Sequence, residues 1–264
     1  MTQAFLQSAL ALRNKHAVVT GGSRGIGAAI ARQFISYGAS VTIFSRGVSS
    51  ELRLSLSAEE QLRLSHLKVD VSDANGVTQA MDSAKKRAAI DILVNNAGRA
   101  ASAPFLKTDD SLWRSMMDVN LEGTVHCTRA VLPGMLDSGW GRIVNVSSTA
   151  GLTGYAYVSA YCAAKHAVIG LTRALALEVA TKGVTVNAVC PGYTETEMLR
   201  AAVENIVEKT GRTPDQARAK LAEKNPQGRL VQPEQVANAV LWLCLPGSEA
   251  ITGQAISVSG GEVM

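Results

Sequence analysis

Tyr161 and Lys165 stand four residues apart in the stretch "SAYCAAKHAVIGLTRALALEVA", residues 159–180, and no other tyrosine of the five has a lysine at that offset. Residues i and i+4 of a helix share a face, so a phenol and an ammonium would project together. A free phenol titrates near about 10 and is scarcely ionised at neutral pH, whereas an adjacent cation favours the phenolate and lowers that value. Such a pair is suited to moving protons. Its neighbours Ser159, Ala160, Cys162, Ala163 and Ala164 are small, which predicts a cavity wall with room for a flat ring and a substrate.

Upstream, "GRIVNVSSTAG" carries Ser147 and Ser148 at the end of an apolar run. At the end of a strand in an α/β fold, such a hydroxyl is placed to donate to a substrate carbonyl. A serine nucleophile would instead want a base and an oxyanion hole, and a plain serine turn would want neither. The GxSxG elbow is absent, His166 reads as a packed or surface residue, and His16, His66 and His126 have no organised partners in the sequence.

A second constellation lies in "TGGSRGIG", Thr20 to Gly27, between an apolar run and a helix-period segment. Glycines there let a phosphate approach the N–H groups at a helix N-terminus. The spacing Gly21-x3-Gly25-x-Gly27 lacks the GK[ST] of a nucleoside triphosphate loop and favours a dinucleotide pyrophosphate. The next apolar run ends in Ser45 and Arg46, where NAD-binding folds place an acidic residue against the ribose hydroxyls. With Arg24 reaching the same corner, two guanidiniums would clamp a 2′-phosphate, so NADP(H) is favoured over NAD(H). Solvated surface arginines are the alternative.

The elements that must position these residues alternate in type. Short apolar runs at 16–20, 40–44, 66–70, 91–95, 142–147, 184–189 and 255–259 read as strands, and helix-period segments near 26–37, 74–88, 110–137, 160–181 and 233–245 lie among them. This is the pattern of an α/β doubly wound, mostly parallel seven-stranded sheet in three layers. Residues 1–264 are expected to form a single dinucleotide-binding catalytic domain. The interposed 193–229 segment, with seven basic and six acidic residues, is expected to act as a substrate lid.

Composition narrows the class. The chain is 47% hydrophobic and 18% charged, and its 26 basic and 22 acidic residues are dispersed, so a compact protein without a nucleic-acid footprint is expected. Cys127, Cys162, Cys190 and Cys244 show neither metal nor CxxC spacing. The opening "MTQAFLQSALALRNKH" lacks the marks of a signal peptide, and no run approaches the ~20 apolar residues that span a bilayer. A cytoplasmic protein with no metal, membrane or nucleic-acid partner is expected.

Taken in order, these motifs resemble the short-chain dehydrogenase/reductase family over essentially the whole length. "TGGSRGIG" is similar to its TGxxxGxG loop, "NNAG" to its fourth-strand motif, "YCAAK" to its YxxxK, and "PGYTET" to its PGxxxT; Ser148 lies thirteen residues before Tyr161, and "MDVN" supplies Asn120. The resemblance implies a tetrad. Tyr161 would exchange a proton with the carbonyl or alcohol oxygen, Ser148 would hold that oxygen, Lys165 would bind the nicotinamide ribose and depress the Tyr161 pKa, and Asn120 would position a relay water. It further implies a cofactor held by Gly21, Ser23, Arg24, Gly25, Ile26, Gly27, Ser45, Arg46, Asp70, Val71, Asn96, Ala97, Gly98, Tyr161, Lys165, Pro191, Gly192, Thr194 and Thr196, with Asp70 and Val71 flanking the adenine. Within the family the later segments look most like reductases of 3-oxoacyl thioesters, or 3-hydroxyacyl-CoA dehydrogenases in the reverse direction. A free cyclic or aromatic ketone or a sugar is the alternative substrate, and a non-catalytic dinucleotide-sensing regulator the alternative of another class. Arg99 either meets an acidic substrate group or faces solvent. The family's usual homotetramer would form through the helices bearing "MMDVNLEG" and "AYCAAKHAVIGL".

Overall fold

The computed structural model of the chain describes residues 10–47 and 50–264. The signal-peptide reading therefore falls largely on residues 1–9, outside the described residues. In chain order the elements are β1 (His16–Thr20), α1 (Gly25–Ser36), β2 (Ser40–Ser45), α2 (Ser50–Leu54), α3 (Ala58–Gln61), β3 (Leu64–Lys68), α4 (Ala74–Lys85), β4 (Ile92–Asn95), α5 (Asp110–Met117), α6 (Gly123–Ser138), β5 (Gly141–Val146), α7 (Ser159–Val179), β6 (Val184–Pro191), α8 (Glu197–Thr210), α9 (Pro214–Ala222), α10 (Pro233–Cys244) and β7 (Ala255–Val258).

The seven strands form one sheet in the order β3-β2-β1-β4-β5-β6-β7. Every pairing is parallel. Successive strand side chains face opposite layers, so both faces need cover. Ala17 and Val19 pack with Phe34, Ile35, Val236 and Val240 of α1 and α10, while Val18 packs with Val77, Met81, Val131 and Val179 of α4, α6 and α7. This two-sided burial explains why the strands read as continuous apolar runs rather than alternating ones.

Three local readings are corrected. The third strand spans Leu64–Lys68 rather than 66–70, because this half-exposed edge strand takes its register from β2, with Val41 opposite Leu64 and Ser45 opposite Lys68. The single helix expected at 110–137 is divided into α5 and α6 by a π-helical turn at Asp118–Glu122. The short helices α2 and α3 carry no clear periodicity in the sequence; α3 is closed by a Ser57–Glu60 capping box.

The segment after β6 folds as α8 and α9, which share a small apolar cluster of Leu199, Val203, Ala217 and Leu221. Its base is closed by pairing of Thr194 with Val231, where Glu195 N–H donates to Val231 O and Val231 N–H to Tyr193 O.

Candidate active site

β1 and β4 are neighbours from which the strand order runs in opposite directions, and such a switch point opens a crevice at the C-terminal strand ends. Thr20, at the end of β1, ties its two walls together. Its hydroxyl accepts from the N–H groups of Asn96 and Ala97 at 2.9 Å each, and the Asn96 side-chain amide donates to Thr20 O at 2.9 Å. Gly21 holds a left-handed φ of 64°. A Cβ on Gly27 would stand 2.3 Å from Gly21 O and 2.5 Å from Asn96 Nδ2, so that glycine is required by packing.

Gly25 also holds a left-handed φ, of 53°, but a Cβ there would meet only Thr196, at 3.1 Å. The residue capping α1, Arg24, makes no side-chain cap bond, so the first-turn N–H groups at Gly25, Ile26 and Gly27 have no side-chain acceptor. With half-exposed Ser23 beside them, these groups fit the pyrophosphate of a dinucleotide.

At the outer corner, the Ser45 hydroxyl donates to Gly47 O at 2.7 Å and shares a 2.9 Å hydrogen bond with His66 Nε2. Arg46 is exposed. Asp70, two residues beyond β3, has its carboxyl held below the usual range by the Ser72 hydroxyl and N–H, helped by the charge of Arg46. Arg24 does not reach toward Ser45 here: it pairs with Glu197, the first residue of α8. Val71 is buried against Gly123, and its carbonyl shares a 3.1 Å hydrogen bond with His126 Nδ1.

The expectation that three histidines lack partners is thus overturned, because the topology delivers them from distant segments. His66 meets Ser45 and His126 meets Val71, while buried His16 lies between Thr42 at 2.8 Å and Ala88 O at 3.0 Å. His166 is exposed, with Nδ1 on Cys162 O one turn back.

The reacting groups converge where β5 ends against α7. Ser148 is extended (φ −172°) and its Oγ accepts from Ala150 N–H at 3.1 Å, which leaves the hydroxyl hydrogen free to donate. That hydroxyl hydrogen-bonds the Tyr161 phenol and stabilises its ionised form. Ser147 is turned inward and donates to Lys165 O at 3.0 Å. The Lys165 side chain is buried, with Nζ donating to Val146 O at 2.9 Å and lying 5.7 Å from the Tyr161 ring centre.

This arrangement corrects the expected electrostatics. Desolvation pushes Tyr161 up to about 12 and outweighs the Ser148 hydrogen bond that lowers it, while burial brings Lys165 down to about 8. Removing both groups from water disfavours both charged forms, and the ammonium is engaged by a carbonyl rather than by the phenol. The reading of the small neighbours is corrected in part. Ala160, Cys162 and Ala164 are buried and seat α7 against the fold, whereas Ser159 and Ala163 are half-buried.

Asn120 lies within the π-helical turn and is 1% exposed. Its Nδ2 donates to Arg99 O and Met116 O at 2.9 Å each, and its Oδ1 accepts from Arg99 N–H at 3.3 Å. Both Asn120 and Lys165 lie against the bare α-carbon of Gly98, where a Cβ would stand 2.8 Å from Asn120 Oδ1 and 3.7 Å from Lys165 Nζ. The exposed Arg99 turns its guanidinium away to donate to Ser115 at 2.7 Å.

On the far wall, the Thr194 hydroxyl donates to Gly192 O, and Thr196 caps α8 by accepting from Leu199 N–H. Pro191 ends β6 and Ile26 lies half-buried above the turn. Three features here had no local signal in the sequence. Buried Cys190 sits near Ser147, Ser148 and Lys165 with its thiol raised to about 11 by desolvation, so it is no thiolate nucleophile. Tyr155 donates to Glu262 Oε1 at 2.7 Å, and its oxygen accepts from the Thr149 hydroxyl at 2.9 Å. Its ring stands edge-on to Tyr193, 6.3 Å between centres. All four cysteines are free and buried, and the described residues contain no group of three or more potential metal ligands.

The switch-point crevice, the glycine turn and the serine–tyrosine–lysine cluster are those of a nucleotide-dependent oxidoreductase fold. A family model described as short chain dehydrogenase matches residues 15–206, and the chain belongs to that family. It is 36% identical to a D-beta-hydroxybutyrate dehydrogenase of Cupriavidus necator, over 96% of this chain and 99% of that one. It is 38% identical to an acetoacetyl-CoA reductase of Rhizobium meliloti, over 93% and 97%. A crystal structure of a variant actinorhodin polyketide ketoreductase with NADPH superposes with a TM-score of 0.88 at 37% identity, covering 94% of this chain and 97% of that one.

Proposed function

We propose that this chain reduces a ketone to a secondary alcohol with NADPH, or runs the reverse with NADP+, and that its substrate is a 3-oxoacyl or 3-hydroxyacyl thioester. The observation that carries the reading is the Ser148 hydroxyl, its hydrogen not taken by the backbone and directed at the Tyr161 phenol, beside buried Lys165 at the mouth of a dinucleotide crevice. The relatives support the substrate class, since one is named for a thioester, acetoacetyl-CoA. NADP is supported by the neighbour bound to NADPH and by Arg46 at the corner without an acidic residue at Ser45.

In reduction, Ser148 donates to the carbonyl oxygen and fixes it, and Tyr161 delivers its proton to that oxygen as negative charge develops. The nicotinamide supplies the hydride when bound. Lys165 is placed to hold ribose hydroxyls beside Tyr161. Asn120 fixes the Gly98–Arg99 backbone beside that ammonium and keeps remaining acceptor capacity for a relay water. The turn N–H groups at Gly25 to Gly27 would hold the pyrophosphate, Asp70 and Val71 the adenine, and Gly98, Pro191, Gly192, Thr194 and Thr196 the nicotinamide side. α8 and α9 act as the lid, latched to the glycine loop through Glu197 and Arg24. In solution we expect a homotetramer through α5–α6 and α7, in the cytoplasm, where the four buried thiols stay reduced.

Tyr161→Phe tests the reading. NADPH oxidation with acetoacetyl-CoA should fall by at least about 10²-fold, while NADPH binding, followed by fluorescence, is retained. Undiminished turnover in the variant overturns it, as does a wild-type protein that binds NADH in preference to NADPH for the cofactor assignment. A regulator would bind dinucleotide and oxidise none.

A further inference from the structure

Glu262 lies in the turn after β7 and reaches the site from a part of the chain remote from the other residues discussed. One carboxylate oxygen accepts from Tyr155, whose hydroxyl also bonds Thr149, the residue after Ser148. The other, Oε2, is buried and has no hydrogen-bond partner among the described residues. It packs on the bare α-carbon of Gly192, where a Cβ would stand 2.7 Å from it. No cation pairs with Glu262 among the ion pairs of the described residues. The two cations at the site do not pair with it: Lys165 donates to Val146 O and Arg99 to Ser115.

A carboxylate without a counter-charge among the described residues, one tyrosine away from the residue next to Ser148, would impose a negative potential on the space beside Ser148 where the substrate carbonyl must lie. That potential already acts on its neighbours, since Glu262 helps raise both Tyr155 and Tyr193, and Tyr193 in turn adjoins Tyr161. In a partly desolvated cleft a second carboxylate two bonds from the reacting carbonyl would be repelled, whereas a neutral ester, thioester or amide would not.

Resting on the ketone-reductase reading, we propose that Glu262 is a specificity determinant that excludes free 3-oxo acids and restricts the site to neutral 3-oxo esters, thioesters and amides. Among 3-oxo compounds, the enzyme would then act on carrier-bound or esterified forms and not on the hydrolysed acid.

Acetoacetate and acetoacetamide differ in the charge at issue and test this directly. Wild-type kcat/KM with NADPH should favour the amide by at least about tenfold. Glu262→Gln, which keeps an acceptor for Tyr155, should raise acetoacetate about tenfold and leave acetoacetamide within about threefold. Tyr155→Phe keeps the charge and should keep the discrimination, which separates electrostatic exclusion from loss of the Tyr155 contact. Equal wild-type rates on the two compounds, or an unchanged ratio in Glu262→Gln, overturn the proposal. Titration calorimetry of the same pair into the NADP+ complex gives the comparison without turnover. Absence of NADPH oxidation with every 3-oxo ester, thioester and amide would sink the reductase reading, and the calorimetric ratio would still decide the part assigned to Glu262.

Discussion

At the scale of the residue, burial and Coulomb attraction compete at the Tyr161–Lys165 pair, and burial wins. The spacing correctly placed the two on one helix face, yet it could not weigh desolvation, which depends on β5 and β6 closing over the ammonium. This has a consequence for stability. Lys165 titrates near 8 in the fold against an ordinary 10.5, so between those values the unfolded chain binds more protons and stability rises with pH. Tyr161, raised from 10 to about 12, opposes this above pH 10, where the unfolded chain loses its proton first. In urea unfolding, wild type should therefore gain stability relative to Lys165→Met between pH 8 and pH 10. Parallel profiles for the two proteins would refute the lowered lysine.

At the scale of the element, the glycine turn and the π-helical turn do the positioning. The glycine turn was legible because strand, glycines and helix are contiguous, and the structure shows that Gly27 is demanded by Gly21 O and Asn96 while Gly25 leaves the approach open. Gly27→Ala is expected to overpack the turn, costing about 1–3 kcal/mol of stability, and to weaken dinucleotide binding. Thermal unfolding and a fluorescence titration check this, and an unperturbed variant would show that the turn is looser than its contacts imply. The π-helical turn was not legible in an amphipathic run that continues smoothly through residues 110–137. It inserts where Asn120 turns to meet Arg99, a contact 21 residues away in sequence.

At the scale of the whole molecule, the crevice exists because both faces of the sheet are clad. Phe34 is fully buried in the layer that α1 and α10 form on the sheet. Phe34→Ala should lower the unfolding free energy by about 3–5 kcal/mol, measured by chemical denaturation, with a smaller loss indicating that the layer collapses into the space. No helix among the described residues is long and apolar enough to cross a membrane.

The sequence by itself determined the alternation of strands and helices, the glycine turn, and the residue types at Ser148, Tyr161, Lys165 and Asn120, because each depends on short-range spacing or local conformational preference. Tertiary structure alone decided the pairing of Arg24 with Glu197, the histidine partners, the sense of the Tyr161 and Lys165 shifts, and the arrival of Glu262 beside Gly192. Desolvation and charge proximity are sums over neighbours brought together from distant segments, and no local pattern carries that sum.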